Sequence, residues 1–201
     1  MNTRLGSTQS LRERQHSRAR EDLTLAALDV VRAEGVEKAS VERIATAAGT
    51  SRGTVYVHFP GGREELLHAA YLRLGEQLVT EAEKAITGVE EWRDRLAGYA
   101  TAAFELSQDT HYGFFINMFG PSLMRSAEGT YAAGNLENAL NREMQAAQKA
   151  GEILSDVNTA AAAALLAGAL REAGAAASTS AHGSDELVRS FRQLVSGLAA
   201  R

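Results

Sequence analysis

Apolar residues recur at three- and four-residue intervals through most of the chain, the spacing of one helix face. In residues 18–35, Leu23, Ala26, Ala27, Val30 and Val31 form one stripe. Ser17 suits the N-cap of this helix, Glu21 and Asp22 its first turn, and Gly35 the position just past its end. Residues 40–49 repeat the grammar in miniature: Ser40 caps, Val41, Ile44, Ala45 and Ala48 face inward, and Gly49 stops the helix. A long helix is predicted over 63–86, with Leu66, Leu67, Ala70, Leu74, Leu78 and Ala82 on one side. Further helices are predicted over 89–109, over 111–120 with a break at Pro121, over 129–154 with a stop at Gly151, over 156–178, and over 184–201 after a polar turn. The chain reads as all-α, with about nine helices.

Residues 51–62, "SRGTVYVHFPGG", do not fit this grammar at first sight. Val55, Val57 and Phe59 alternate with Tyr56 and His58, which is the period of a strand. A lone strand among helices has no partner for its backbone groups. The stretch reads better as a second short helix after a tight turn at Gly49, which is helix-turn-helix spacing. The second helix of such a unit enters the DNA major groove. Its composition then follows from contact rather than from helix propensity. Gly53 lets a backbone come close, Thr50, Ser51 and Thr54 offer hydroxyls, Arg52 reaches phosphate or guanine, and Tyr56 offers a phenol. Val55 and Phe59 are the inward anchors, and Arg63 opens the next helix near a phosphate.

Charge sharpens this picture. Net charge is −4 and there are no cysteines, which removes disulfides, thiol nucleophiles and cysteine-based zinc sites. Residues 1–20 carry five arginines (4, 12, 14, 18 and 20) against Glu13, whereas residues 71–201 carry 11 basic against 16 acidic residues. A cationic arm on an acidic body suits a nucleic-acid binder, although charge alone fits a solvated tail equally well. No apolar run is long enough to span a membrane and no secretory signal is legible, so the chain reads as a soluble cytoplasmic protein. The five histidines (16, 58, 68, 111 and 182) lack metal-ligand spacing, and no glycine-rich phosphate loop follows a strand. No enzyme, metal or cofactor is expected. A helical protein-binding module without DNA binding is the other alternative.

The stretch "SVERIATAAGTSRGTVYVHFPGGREELLHAAY", with "LTLAALDVVRAEG" before it, resembles the DNA-binding domain of the tetracycline-repressor (TetR) family of transcription regulators. The likeness covers about residues 18–70. It rests on Gly35, Ser40, Ile44-Ala45, Gly49, Ser51, Gly53, the Tyr56-x-His58-Phe59 signature and Leu66-Leu67. It implies DNA contacts at Ser40, Arg43, Thr50, Ser51, Arg52, Gly53, Thr54, Tyr56, Val57, His58 and Arg63. Arg63 stands where the family usually has lysine, after a loop one residue longer, and Val57 replaces a frequent aromatic. The domains implied are a flexible basic arm (1–17), a helix-turn-helix head (18–64) and an effector-binding and dimerisation body (65–201). The function implied is a homodimeric repressor, bound to an inverted repeat of double-stranded DNA and released by a small, largely apolar effector.

No motif fixes the effector. Aromatic enrichment suggests a pocket at Trp92, Tyr99, Phe104, His111, Tyr112, Phe115, Asn117, Met118 and Phe119, although an aromatic stripe in an all-α body is commonly core. The last two helices carry small and apolar faces at Ala161, Ala164, Leu165, Gly168, Leu187, Phe191, Leu194, Val195 and Leu198. The resemblance implies that these pair with their symmetry mates across a dimer interface.

Overall fold

The structure is a computed structural model that describes residues 11–126, 134–177 and 183–200. Its helices are α1 (Leu11–Glu34), α2 (Val41–Ala47), α3 (Arg52–His58), α4 (Gly62–Ala85), α5 (Trp92–Gln108), α6 (Thr110–Phe114), α7 (Gly120–Ser126), α8 (Asn135–Lys149), α9 (Thr159–Ala177) and α10 (Ser184–Ser196). A 3-10 turn (Val36–Lys38) precedes α2, and a π-helical segment (Phe115–Phe119) joins α6 to α7 without a break. Counting that run as one rod gives nine helices among the described residues, the number the apolar pattern predicts. Among the described residues there is no strand, only an isolated bridge between Ile153 and Ala199 that ties the end of α10 to the turn after α8. No helix there is long and apolar enough to cross a membrane.

Two expectations need correction. The first helix does not start at a Ser17 cap but at Leu11, so residues 11–17 of the basic arm are helical. "LRERQHSRAR" holds mostly good helix formers and no breaker, so nothing in it opposes extension. Pro121 does not break the helix either. It lacks an amide hydrogen and crowds the preceding turn. The backbone accommodates it by widening just upstream, where the Gly120 amide donates to Phe115 O five residues back. Residues 1–10 of the arm, the predicted helix start at 129–133 and most of the polar turn (178–182) lie outside the described residues.

Two apolar cores share one spine. The first half of α4 buries Leu66, Leu67, Ala70 and Leu74 against α1, α2 and α3, where Ile44, Val55 and Phe59 are fully enclosed. Its second half buries Leu78, Val79 and Ala82 with Trp92, Leu96 and Tyr99 of α5 and with α8, in a core that α9 and α10 complete by packing on α5. Each such large side chain contributes about 1.5–3 kcal/mol on burial. At the junction, Phe115 and Leu123 from the π segment and α7 join the head's core.

The turn from α5 into α6 is packed to its limit. A Cβ at Gly113 would lie 2.5 Å from the Ser107 carbonyl oxygen, a backbone atom that cannot swing aside. Gly113→Ala is therefore expected to destabilise by about 1–3 kcal/mol. Thermal unfolding followed by circular dichroism will show a melting temperature lowered by about 2–4 °C per kcal/mol lost.

Candidate nucleic-acid interface and internal cavity

The α2–α3 unit is fixed by caps that its own sequence supplies. Ser40 accepts from the Arg43 amide at 3.2 Å to open α2. At the other end Gly49 takes φ +64, with its amide on Thr46 O (3.1 Å) and the Thr50 amide on Ala45 O (2.9 Å). That double closure is a Schellman turn, and its left-handed residue favours glycine. Two residues later Ser51 accepts from the Thr54 amide at 3.1 Å and opens α3, and its hydroxyl also meets that of Thr54 at 3.0 Å. A seven-residue helix is too short to hold itself together in water. Val55 and Phe59, both fully buried one turn apart, hold it down.

What remains outward is one contiguous face. Arg52, Gly53, Tyr56 and Val57 are exposed together, Val57 at 70%, with Ser51 beside them and Thr50 and Thr54 half-buried at the rim. Tyr56 lies against Gly62, whose added Cβ would sit 3.1 Å from the ring. Ser40 and Arg43 flank the same face from α2. Both arginines already hold carboxylates: Arg52 pairs with Glu42 at 2.8 Å and Arg43 with Glu34. Exposed pairs of this kind are worth about 0–1 kcal/mol and exchange readily for other anions.

Two of the residues expected from sequence to meet DNA are engaged within the chain in this structure. Arg63 turns back, donating from Nε to Ala39 O (2.9 Å) and from Nη2 to Val36 O (2.7 Å), so it clamps the turn before α2. His58 packs its ring against His16 of α1, with centroids 4.7 Å apart, and its Nδ1 is buried without a partner. Behind it, Arg20 donates to the His58 carbonyl, lies 4.0 Å over the Phe59 ring and pairs with Glu65 at 3.3 Å. Sequence reasoning missed His16 and Arg20. They lie one helical turn apart on α1, a signal hidden by treating residues 1–17 as an arm.

The body contains a cavity of about 50 Å³ between α4, α5, the π segment, α8 and α9. Leu72, Gly75, Leu78, Ala103, Ile116, Asn117, Asn135, Leu136, Ala167, Leu170 and Arg171 are among its walls. Of the predicted pocket residues, only Asn117 lines it. Trp92, Tyr99, Phe104 and Phe115 are core. Burial, then the carboxylates of Glu143 and Glu83, pushes the Tyr99 phenol up to about 12. Phe119 stacks on Phe115 with centroids 6.0 Å apart, and Met118 faces outward. Large rings fill space, and the hollow forms where Gly75, Ala103 and Ala167 leave room.

His111 and Tyr112 sit elsewhere, at the joint between body and head. His111 Nδ1 meets Arg32 O at 2.7 Å, and the Arg32 guanidinium pairs with Asp109 (3.2 Å) and lies 5.5 Å from the Tyr112 ring. On the last two helices Leu165 is 76% and Leu194 64% exposed, and Ala161 is exposed with them. Ala164, Gly168, Leu187 and Leu198 are half-buried. Phe191 and Val195, expected at a dimer interface, are buried in the chain's own core instead, because α10 packs its apolar stripe onto α5.

The environment of His58 has a consequence for stability. Burial first, then the neighbouring His16 and Arg20, holds its imidazole below the ordinary value of 6.5. Folding thus favours the neutral ring, and that stabilisation is complete above 6.5 and is lost as pH falls through the lowered value. Melting temperatures of the wild type and His58→Asn across about pH 8 to 5 will converge at the acid end, because the variant lacks this proton.

Comparison with known proteins agrees with this geometry. Residues 23–70 match the family described as bacterial regulatory proteins, tetR family. The HTH-type nicotine-responsive transcriptional repressor HdnoR of Paenarthrobacter nicotinovorans is 39% identical over 74 residues, which are 37% of this chain and 38% of that protein. The chain thus matches well under half the length of this curated relative. Solved structures share the fold over nearly the whole chain. The fatty acid degradation regulator FadR from Bacillus halodurans superposes with a TM-score of 0.68 at 20% identity, covering 88% of this chain and 97% of its own. A tetR-family transcriptional regulator from Pectobacterium atrosepticum gives 0.71 at 18% identity, covering 94% and 97%. Residues 23–70 thus carry the sequence pattern of the tetR family of bacterial regulatory proteins, and the whole chain shares the fold of these solved structures.

Proposed function

We propose that the chain is a sequence-specific DNA-binding transcriptional regulator, acting as a homodimeric repressor that a small, largely apolar effector releases from an inverted repeat. The observation that carries this reading is the outward face of α3. Arg52, Gly53, Tyr56 and Val57 contribute nothing to the core, yet two buried anchors and the Ser51 cap hold their helix in place. Arg52 suits guanine or phosphate, the Val57 methyls suit a thymine methyl, and the Tyr56 hydroxyl suits the backbone. Arg63 and His58 support the face from behind. Exposed Leu165 and Leu194 suit a two-fold partner, which would set the spacing of two heads on two half-sites.

The same structure offers a route for release. Ile116 and Asn117 of the π segment line the cavity, and the helix continuous with that segment begins at Asp109 and His111, which grip the last turn of α1. Widening the cavity shifts the π segment, and the shift reaches the head through this grip. An effector releases DNA only by as much as it prefers the shifted state. The relative named for its nicotine response and a neighbouring structure of RolR complexed with resorcinol support a small-molecule effector.

Selection of bound sites from random duplexes by the purified full-length chain will enrich an inverted repeat, and an absence of enrichment by folded protein would sink this reading. On the recovered site, Arg52→Ala and Tyr56→Ala are each expected to cost about 1–3 kcal/mol of binding, with little change in melting temperature. Glu42→Gln, which frees Arg52, is expected to strengthen binding by about 0–1 kcal/mol. In a fluorescence-anisotropy assay, His111→Ala will keep ligand-free DNA affinity within about threefold while blunting release by effector, since typical coupling amounts to about 1–3 kcal/mol.

A further inference from the structure

We infer that the cavity is selective for a small acid: an aliphatic or arylaliphatic monocarboxylate whose charged end meets Arg171. The inference rests on the reading of this cavity as the effector site and names the ligand class it takes.

Arg171 stands out among the arginines of the body, since Arg189, the other one without an ion pair among the described residues, is exposed. Arg93 pairs with Glu91, Arg95 with Glu143, Arg142 with Glu83 and Arg192 with Asp94, at 2.5 to 2.9 Å. Arg171 is half-buried on α9, lines the cavity, and forms no ion pair among the described residues. A partly desolvated guanidinium without a counter-charge is costly, and a carboxylate matches its planar fork with two parallel hydrogen bonds. The other charge on the wall, Glu137, lies in the first turn of α8, where the helix N-terminus itself favours a carboxylate.

The remaining polar groups narrow the ligand further. Asn117 Nδ2 donates to Ser107 Oγ at 2.9 Å, and Asn135 Nδ2 donates to Leu72 O at 2.9 Å. Each amide spends one of its two N–H groups in this way, and the guanidinium is the one cationic donor on the wall. A single cation suits a single carboxylate better than a phosphate dianion. The other walls, among them Leu78, Ile116 and Leu136, are apolar and take a hydrocarbon or phenyl body. The present 50 Å³ is far below the roughly 300–1,000 Å³ of occupied ligand pockets, so the acid enters by parting these walls. Ile116 is one of them, which joins occupancy to displacement of the π segment.

The test uses the full-length chain with two acids, octanoate and 3-phenylpropionate, each against its primary amide, by isothermal calorimetry. At least one acid is expected to bind about tenfold more tightly than its amide, a difference of about 1.4 kcal/mol. Arg171→Gln is expected to bring acid and amide within about twofold of each other, and Arg171→Lys to keep part of the preference, because it keeps the charge but not the fork. Ligand-free melting temperatures of the variants report their folding, and the acid-to-amide ratio of the wild type decides the matter even if a variant unfolds. Equal binding of acid and amide, no binding of either acid, or a preference unchanged in folded Arg171→Gln overturns the inference. DNA binding is read separately by anisotropy. Arg171-dependent acid binding by a chain that never binds DNA would leave this inference standing and remove the regulatory reading. Operator release by the amides alone would do the reverse.

Discussion

The apolar face of α4 runs unbroken from Leu66 to Ala82, and both cores are built on it. Its first turns close over Val55 and Phe59, so the reading helix is held by the same rod that walls the cavity. Interiors packed at crystalline density do not deform smoothly. On the proposed route of release, a shift at Leu72 or Leu78 is carried along the rod rather than absorbed. The second link, from the π segment through His111 and Asp109 to the end of α1, runs alongside it. Head and body are joined along α4, at this grip, and through Phe115 and Leu123 in the head's core.

The π segment is where the fold departs from regularity, and its cause is local. Pro121 withholds one amide, the backbone widens upstream, and the register of the following turn changes. Asn117 lies inside the widened turn, where its amide can reach Ser107 on α5 and still border the cavity. An irregularity at one proline thus supplies a wall of the hollow and, on the proposed route of release, the part that shifts.

How much of this was legible in the sequence follows from the range of the interactions. The helix-turn-helix unit was legible almost to the residue, because Ser40, Gly49, Ser51, Val55 and Phe59 act within a few positions of one another. The spine was legible because one periodic stripe records it. The cavity was not, because its walls come from five elements far apart in sequence and from the absence of bulk at Gly75, Ala103 and Ala167. Aromatic enrichment pointed to the core instead, since rings such as Trp92 and Tyr99 fill the space that a ligand would need. Phe191 and Val195 illustrate the same limit: an apolar face shows that something covers it, not which chain. The inward turn of Arg63 was equally hidden, because its partners are backbone carbonyls, which every residue carries.

The carboxylates beside the reading face also bear on how the protein responds to its ionic surroundings. An arginine meeting DNA ordinarily frees a condensed cation from the duplex, and the gain in mixing entropy makes affinity fall steeply with salt. Arg43 and Arg52 arrive with Glu34 and Glu42 already attached. If, as proposed, each passes to a phosphate, the glutamate left behind gathers a cation of its own. Part of the released ion would then be taken up again, and affinity would fall less steeply with salt than the number of arginines at the interface implies.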